Sequence, residues 1–204
     1  MQKIKNIIFD LGGVFIEIDY FKTQDAFINL GVTHFSHLYT QQHASPIFEL
    51  LETGKITPAE FYELFRQASG VQLTDEQIRT AWNAMLGNFY TDALDWLDKI
   101  NKRYNVYLFS NTNKIHEDAF NKILEQQTGL KSIDGFFIKA YYSHTLGLRK
   151  PYAGSYKAIL EEQQLDAAET MFIDDSIKNV QGAIEAGLTG LFLEPPRKVT
   201  DLSL

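Results

Sequence analysis

Ile7-Ile8-Phe9-Asp10-Leu11-Gly12-Gly13-Val14 sets a short apolar run directly against a carboxylate and two glycines. A run this short, bounded by turn residues, predicts a buried strand with the aspartate at its C-terminal end. In open α/β sheets ligands bind outside that edge, and a glycine turn lets the backbone approach them closely. A single aspartate there also suits plain turn capping. What decides the fold is what the rest of the chain brings to the same edge.

Three later segments repeat the pattern. Val106-Tyr107-Leu108 runs into Phe109-Ser110-Asn111-Thr112-Asn113; Leu148-Arg149-Lys150-Pro151 places a lysine before a proline; Phe172-Ile173-Asp174-Asp175-Ser176 closes an apolar run with paired carboxylates. Strands are expected at 4–9, 105–109, 136–142, 170–174 and 189–193. Helical patterns at 115–127, 154–164 and 177–186 separate the last four, and Gly187 suits a helix C-terminus. Strands alternating with helices predict an α/β fold, a Rossmann-like doubly wound parallel sheet with helices on both faces.

The first connection breaks the rhythm. More than seventy residues separate Val14 from the helix expected near Asp92, and their pattern is almost entirely helical. Thr57-Pro58-Ala59-Glu60 and Thr74-Asp75-Glu76-Gln77 carry capping-box chemistry, which predicts helices near 58–69 and 75–87. Phe61, Leu64, Phe65 and Ala68 share one helical face that must be buried. We therefore expect an inserted α-helical cap over 17–91, with the Rossmann-like core formed by 1–16 and 92–204. The residues from Pro195 onward lack periodicity and read as a loosely held tail.

Composition narrows the function. The chain has 204 residues, is 45% hydrophobic, carries a formal charge of -7 and contains no cysteine. It is long enough to bury a full core. Disulfides and thiolate nucleophiles are excluded. The acidic balance argues against nucleic acid, whose binding draws on basic residues. No signal peptide or membrane span is apparent, so a cytoplasmic protein is expected, as a monomer or weak dimer. A small phosphorylated metabolite remains a suitable partner, because a divalent cation in an acidic pocket reverses the local sign of charge.

Taken in order, the four motifs and the helical insertion directly after the first resemble the haloacid dehalogenase superfamily, whose members are mostly phosphatases. The resemblance covers nearly the whole chain. It implies that Asp10 is the nucleophile that becomes an aspartyl phosphate, and that the Gly12 carbonyl binds Mg²⁺. Ser110 and the Asn111 amide would donate to phosphoryl oxygens, and Lys150 would neutralise the nucleophile and phosphate. Asp175 would be the acidic Mg²⁺ ligand, Asp174 a further ligand or a supporting group, and Asn179 the residue that orients the metal's water or the lysine. A dianionic phosphate ester repels an attacking carboxylate, so this chemistry needs a cation and fixed donors. Oxygen-only ligands suit Mg²⁺, whereas Zn²⁺ would favour His or Cys.

One position departs from most phosphatases of the superfamily. Their second aspartate, two residues after the nucleophile, acts as general acid and base; here that residue is Gly12. An anomeric oxygen leaves more easily than an ordinary alkoxide. The wording around Asp10, Ser110 and Lys150 also resembles a bacterial branch that includes glucose 1-phosphate phosphatases, so a hexose 1-phosphate is the expected substrate. Asp19 and His116 are conceivable replacement acids, although Asp19 reads first as a helix N-cap and His116 as a solvent-facing residue of a first helical turn. His34 and His37 lack a third ligand for a metal site. Tyr39, Phe48 and Phe61 could line the cap side of a pocket or fill its core. The competing functions are a non-catalytic phosphometabolite- or protein-binding module, supported by Gly12, and a 2-haloacid dehalogenase, disfavoured by Asp174-Asp175.

Overall fold

The computed structural model describes residues 3–40 and 43–204. In chain order, β1 (Asn6–Phe9) and β2 (Ile16–Ile18) lead into α1 (Tyr20–Asn29), α2 (Phe35–Leu38), β3 (Tyr39–Thr40), β4 (His43–Ala44), α3 (Pro46–Glu52), α4 (Pro58–Ser69) and α5 (Asp75–Asn83). The chain returns through β5 (Leu86–Phe89) and α6 (Thr91–Ile100) to β6 (Asn105–Ser110) and α7 (Lys114–Thr128). It finishes with β7 (Lys139–Tyr142), α8 (Ser143–Leu146), α9 (Ala153–Glu162), β8 (Thr170–Asp174), α10 (Ile177–Glu185) and β9 (Thr189–Phe192).

The main sheet is parallel, ordered β7-β6-β1-β8-β9. Its central strand is the one that opens the chain. Because successive strand side chains point to opposite faces, Ile7 and Phe9 pack with Leu97, Phe120 and Leu124 on one side, while Ile8 packs with Tyr156, Ile159 and Ala183 on the other. Fully burying a side chain such as Phe9 stabilises the fold by roughly 1.5–3 kcal/mol. The chain winds outward from β1 in both directions, so the order reverses beside it. That reversal makes the crevice where open α/β sheets bind ligands.

Cap helices enclose a second apolar cluster containing Phe27, Phe35, Phe48, Phe61, Phe65 and Trp82. Both capping boxes form: Thr57 pairs reciprocally with Glu60, and Thr74 with Gln77. The expectation of an almost entirely helical insertion needs correction. Helix α5 stops at Asn83 instead of continuing to 87, and the next residues form β5, which pairs antiparallel with β2. Gly87 permits this, since a Cβ there would strike Glu17. The β2–β5 pair carries the chain out of the core sheet and back.

Two further expectations shift. The 136–142 run becomes strand only from Lys139, because Ser132 caps a 3-10 turn over Ile133–Phe136. The C-terminal segment is docked, with Val199 and Leu202 buried in the core cluster. Its apolar residues are too widely spaced to show a period, yet they find the α6 side of the core. Gly187 closes α10 as expected, at φ 98°. Among the described residues, no helix is long and apolar enough to cross a membrane.

Candidate active site

Register places the polar strand ends together. Phe9 pairs with Leu108 on one side and Ile173 on the other, and the Asp10 amide donates to the Ile173 carbonyl at 2.9 Å. One step further along lie Asp10 and Asp174, and two steps beyond Leu108 lies Ser110. Lys150 enters from the loop after α8, with its Nζ 2.6 Å from Asp10 Oδ1 and 2.8 Å from Asp174 Oδ2. Only 1% of Lys150 is exposed. The Asn111 side chain fixes that loop by donating to the Lys150 carbonyl (3.0 Å) and accepting from its amide (2.9 Å).

Asp174 is held on all sides. Besides Lys150, it accepts from the Ser176 amide at 2.7 Å and from Asn179 Nδ2 at 3.2 and 3.0 Å. Asn179 therefore acts on Lys150 through Asp174. Both carboxylate oxygens of Asp174 are thus engaged, which leaves Asp10 and Asp175 better suited as ligands.

Charge is unbalanced here. Asp10, Asp174 and Asp175 each bring a carboxylate oxygen within 4.8 Å of the others, with the Lys150 ammonium paired to the first two. Burial, then Asp174, push the Asp10 carboxyl up to about 8 against the pull of Lys150. Burial, then Asp174, likewise push Asp175 up to about 6. Burial opposes the charged Lys150, but Asp10 and Asp174 outweigh it and hold its pKa above the ordinary lysine value. A hard divalent cation would relieve this excess of negative charge. The donors fit one: carboxylate oxygens of Asp10 and Asp175 with the Gly12 carbonyl form an oxygen-only set of the kind Mg²⁺ takes.

The two glycines have different roles. Gly13 adopts φ 67° and lies where a Cβ would collide with the Asp175 carboxylate, so the backbone must be bare for that carboxylate to come in. At Gly12 a Cβ would meet Ile18 Cγ1 at 3.0 Å. Ile18 thus crowds the space where an acid at residue 12 would begin.

A cavity of about 340 Å³ opens over these groups. Asp10, Gly12, Ser110, Lys150 and Asp175 line its floor, and Tyr20, Tyr39, Glu49 and Glu52 come from the cap. The other sequence candidates fall outside the chemistry. Asp19 caps α1, accepting from the Phe21 amide at 3.0 Å. His116 lines the cavity but is buried, correcting its solvent-facing reading. Its Nε2 lies 3.1 Å from the Trp82 carbonyl and its Nδ1 3.3 Å from Asn113 Nδ2, the geometry of a neutral ring with both nitrogens satisfied. Burial lowers its pKa to about 4, against the pull of the Trp82 carbonyl. His34 and His37 are exposed. Phe48 and Phe61 are core, whereas Tyr39 reaches the cavity. Glu52 and its partner Arg149 were not singled out by the sequence; Arg149 stood inside a quoted motif, but nothing near Glu52 marks it.

Residues 4–187 match the family model for haloacid dehalogenase-like hydrolases. The chain is 33% identical over 184 residues to a D-ribitol-5-phosphate phosphatase of Bacteroides thetaiotaomicron, covering 90% of this chain and 89% of the relative. It is 30% identical over 191 residues to a sesquiterpene phosphatase of Aspergillus oryzae, covering 93% and 89%. A solved family enzyme from Bacteroides thetaiotaomicron, in complex with magnesium and inorganic phosphate, superimposes with a TM-score of 0.87 at 34% identity, over 98% of this chain and 100% of that one.

Proposed function

The chain belongs to the haloacid dehalogenase-like hydrolase family, and from that premise we propose that it is a Mg²⁺-dependent phosphatase of a small phosphorylated metabolite, working through an aspartyl phosphate on Asp10. The observation that carries this reading is the buried Lys150 ammonium bridging Asp10 and Asp174 beside a third carboxylate. A non-catalytic binding module would have no use for a carboxylate so oriented.

Lys150 holds one oxygen of Asp10, which leaves the other to attack phosphorus. As the new P–O bond forms, the bond from phosphorus to the ester oxygen breaks, and the departing oxygen takes its proton from solvent water. The Ser110 hydroxyl and Asn111 amide donate to the phosphoryl oxygens, while Lys150 offsets the charge gathering between nucleophile and phosphate. Water then attacks the same phosphorus and releases Asp10. Mg²⁺ held by Asp10, Asp175 and the Gly12 carbonyl would supply further charge neutralisation.

Substrate choice follows from Gly12. A positioned acid contributes typically ~10²- to 10⁴-fold, so its absence favours a leaving group that needs little help. A hexose 1-phosphate meets that condition. The relative that acts on D-ribitol 5-phosphate supports a second reading, a polyol monophosphate. A phosphate-ester panel assayed with and without Mg²⁺, with Asp10→Asn as control, tests both. Phosphate release that survives in Asp10→Asn would refute the assigned nucleophile.

A further inference from the structure

The cap-side wall of the cavity contains a second, partly buried cluster of ion pairs that the hydrolytic chemistry does not use. Arg149, the neighbour of Lys150, turns toward the cap, with Nη1 2.6 Å from Glu49 Oε1 and Nη2 2.8 Å from Glu52 Oε2. Glu52 itself is 4% exposed. Its Oε1 lies 3.3 Å from the Tyr39 hydroxyl, at the long end of hydrogen bonding. Glu52 Oε2 approaches Arg149 Nη2 without hydrogen-bond alignment, and both Oε2 and Arg149 Nε are buried with no hydrogen-bond partner among the described residues. Tyr39, Glu52 and Arg149 line the same cavity as Asp10.

Leaving a buried carboxylate oxygen and a guanidinium N–H unsatisfied is costly, and such groups are ordinarily paired. Beyond its ion pair with Arg149 Nη2, Glu52 Oε2 retains acceptor capacity, and Arg149 Nε retains a donor; a hydroxyl group, which both donates and accepts, suits that combination. An alkyl chain offers neither.

We propose that Glu52, set by Arg149 and Tyr39, is a specificity-determining residue that binds a hydroxyl on the organic part of the phosphate ester, so that polyhydroxylated monophosphates are selected over alkyl ones. This rests on the phosphatase reading above. Sites built to hydrogen-bond a substrate hydroxyl discriminate strongly against analogues that lack it. Burial, opposed by Arg149, raises the Glu52 pKa, in keeping with a carboxylate that still lacks full compensation.

The test compares kcat/KM of the full chain with Mg²⁺ on D-ribitol 5-phosphate and glucose 1-phosphate against n-butyl phosphate, whose primary alkoxide leaves no more easily than that of the ribitol ester. Wild type should favour at least one hydroxylated ester, and Glu52→Gln should reduce that preference by roughly 10- to 100-fold, chiefly through KM. Tyr39→Phe, which keeps the ring packed against Phe48 and Trp82, should reduce it by a smaller factor and serves if Glu52→Gln does not fold. A preference unchanged in the variants, or a wild type that favours hydroxyl-free esters, would overturn the proposal while leaving the phosphatase reading intact. Hydrolysis of neither class would overturn both.

Discussion

The floor of the cavity pairs carboxylates with Lys150 and its cap-side wall pairs them with Arg149, yet the two are built differently. On the floor, strand register alone brings Asp10 and Asp174 side by side, and Lys150 is 1% exposed between them. On the wall, Glu52 ends a cap helix and Arg149 leaves a core loop; they meet only because cap and core pack together, and the Arg149 side chain stays 17% exposed. The floor's lysine is therefore fully buried and engaged by its carboxylates, while the wall keeps hydrogen-bonding capacity in reserve. A reaction centre needs fixed charges, and selectivity needs groups that a substrate completes.

Removing the floor cation should have the largest effect. Breaking a buried ion pair typically costs about 3–5 kcal/mol, so Lys150→Met should lower unfolding free energy by that order in denaturant titrations at pH 9, where Asp10 is ionised. The loss should shrink toward pH 6, because Asp10, whose pKa lies at about 8, accepts its proton across that range and needs the lysine less. An equal loss at both pH values would break the contrast.

His116 sits between the two regions and should act through protonation. Its folded pKa of about 4 lies below the ordinary 6.5, so the unfolded chain takes up a proton first as pH falls. Stability is then lost between pH 6.5 and 4, by at most about 3 kcal/mol, and remains flat below. Stability curves of wild type and His116→Gln should diverge in that window alone.

The wall should respond least. Hydrogen bonds to charged groups are worth about 1.5–3 kcal/mol, and Arg149 is only partly enclosed, so Arg149→Met should cost the lower end of that range. Thermal unfolding beside Lys150→Met checks the order. A wall variant that destabilises more than the floor variant would reverse the distinction drawn here.

The same distinction explains what the sequence made legible. The floor follows from local text: Asp10, Ser110 and the 174–175 pair stand at or just past the ends of apolar strand runs, and Lys150 stands just before Pro151, so these candidates could be named from their own segments. The parallel sheet and the capped helices α4 and α5 carry equally local signals. Residues whose role depends on distant packing gave none. The β2–β5 pair is too short to show alternation, Val199 and Leu202 are isolated apolar residues, and His116 is buried by Trp82, which lies in the cap. Glu52 looks like any helix-surface glutamate until Arg149 is placed beside it.

The central claim is that Asp10 accepts the phosphoryl group. Acid quenching of the Mg²⁺-supplemented enzyme during turnover of its best ester, followed by peptide mass spectrometry, tests it directly. The account predicts a phosphoryl adduct on the peptide containing Asp10, absent in Asp10→Asn. Sustained turnover with no adduct on that peptide in wild type, and undiminished turnover in Asp10→Asn, would contradict it.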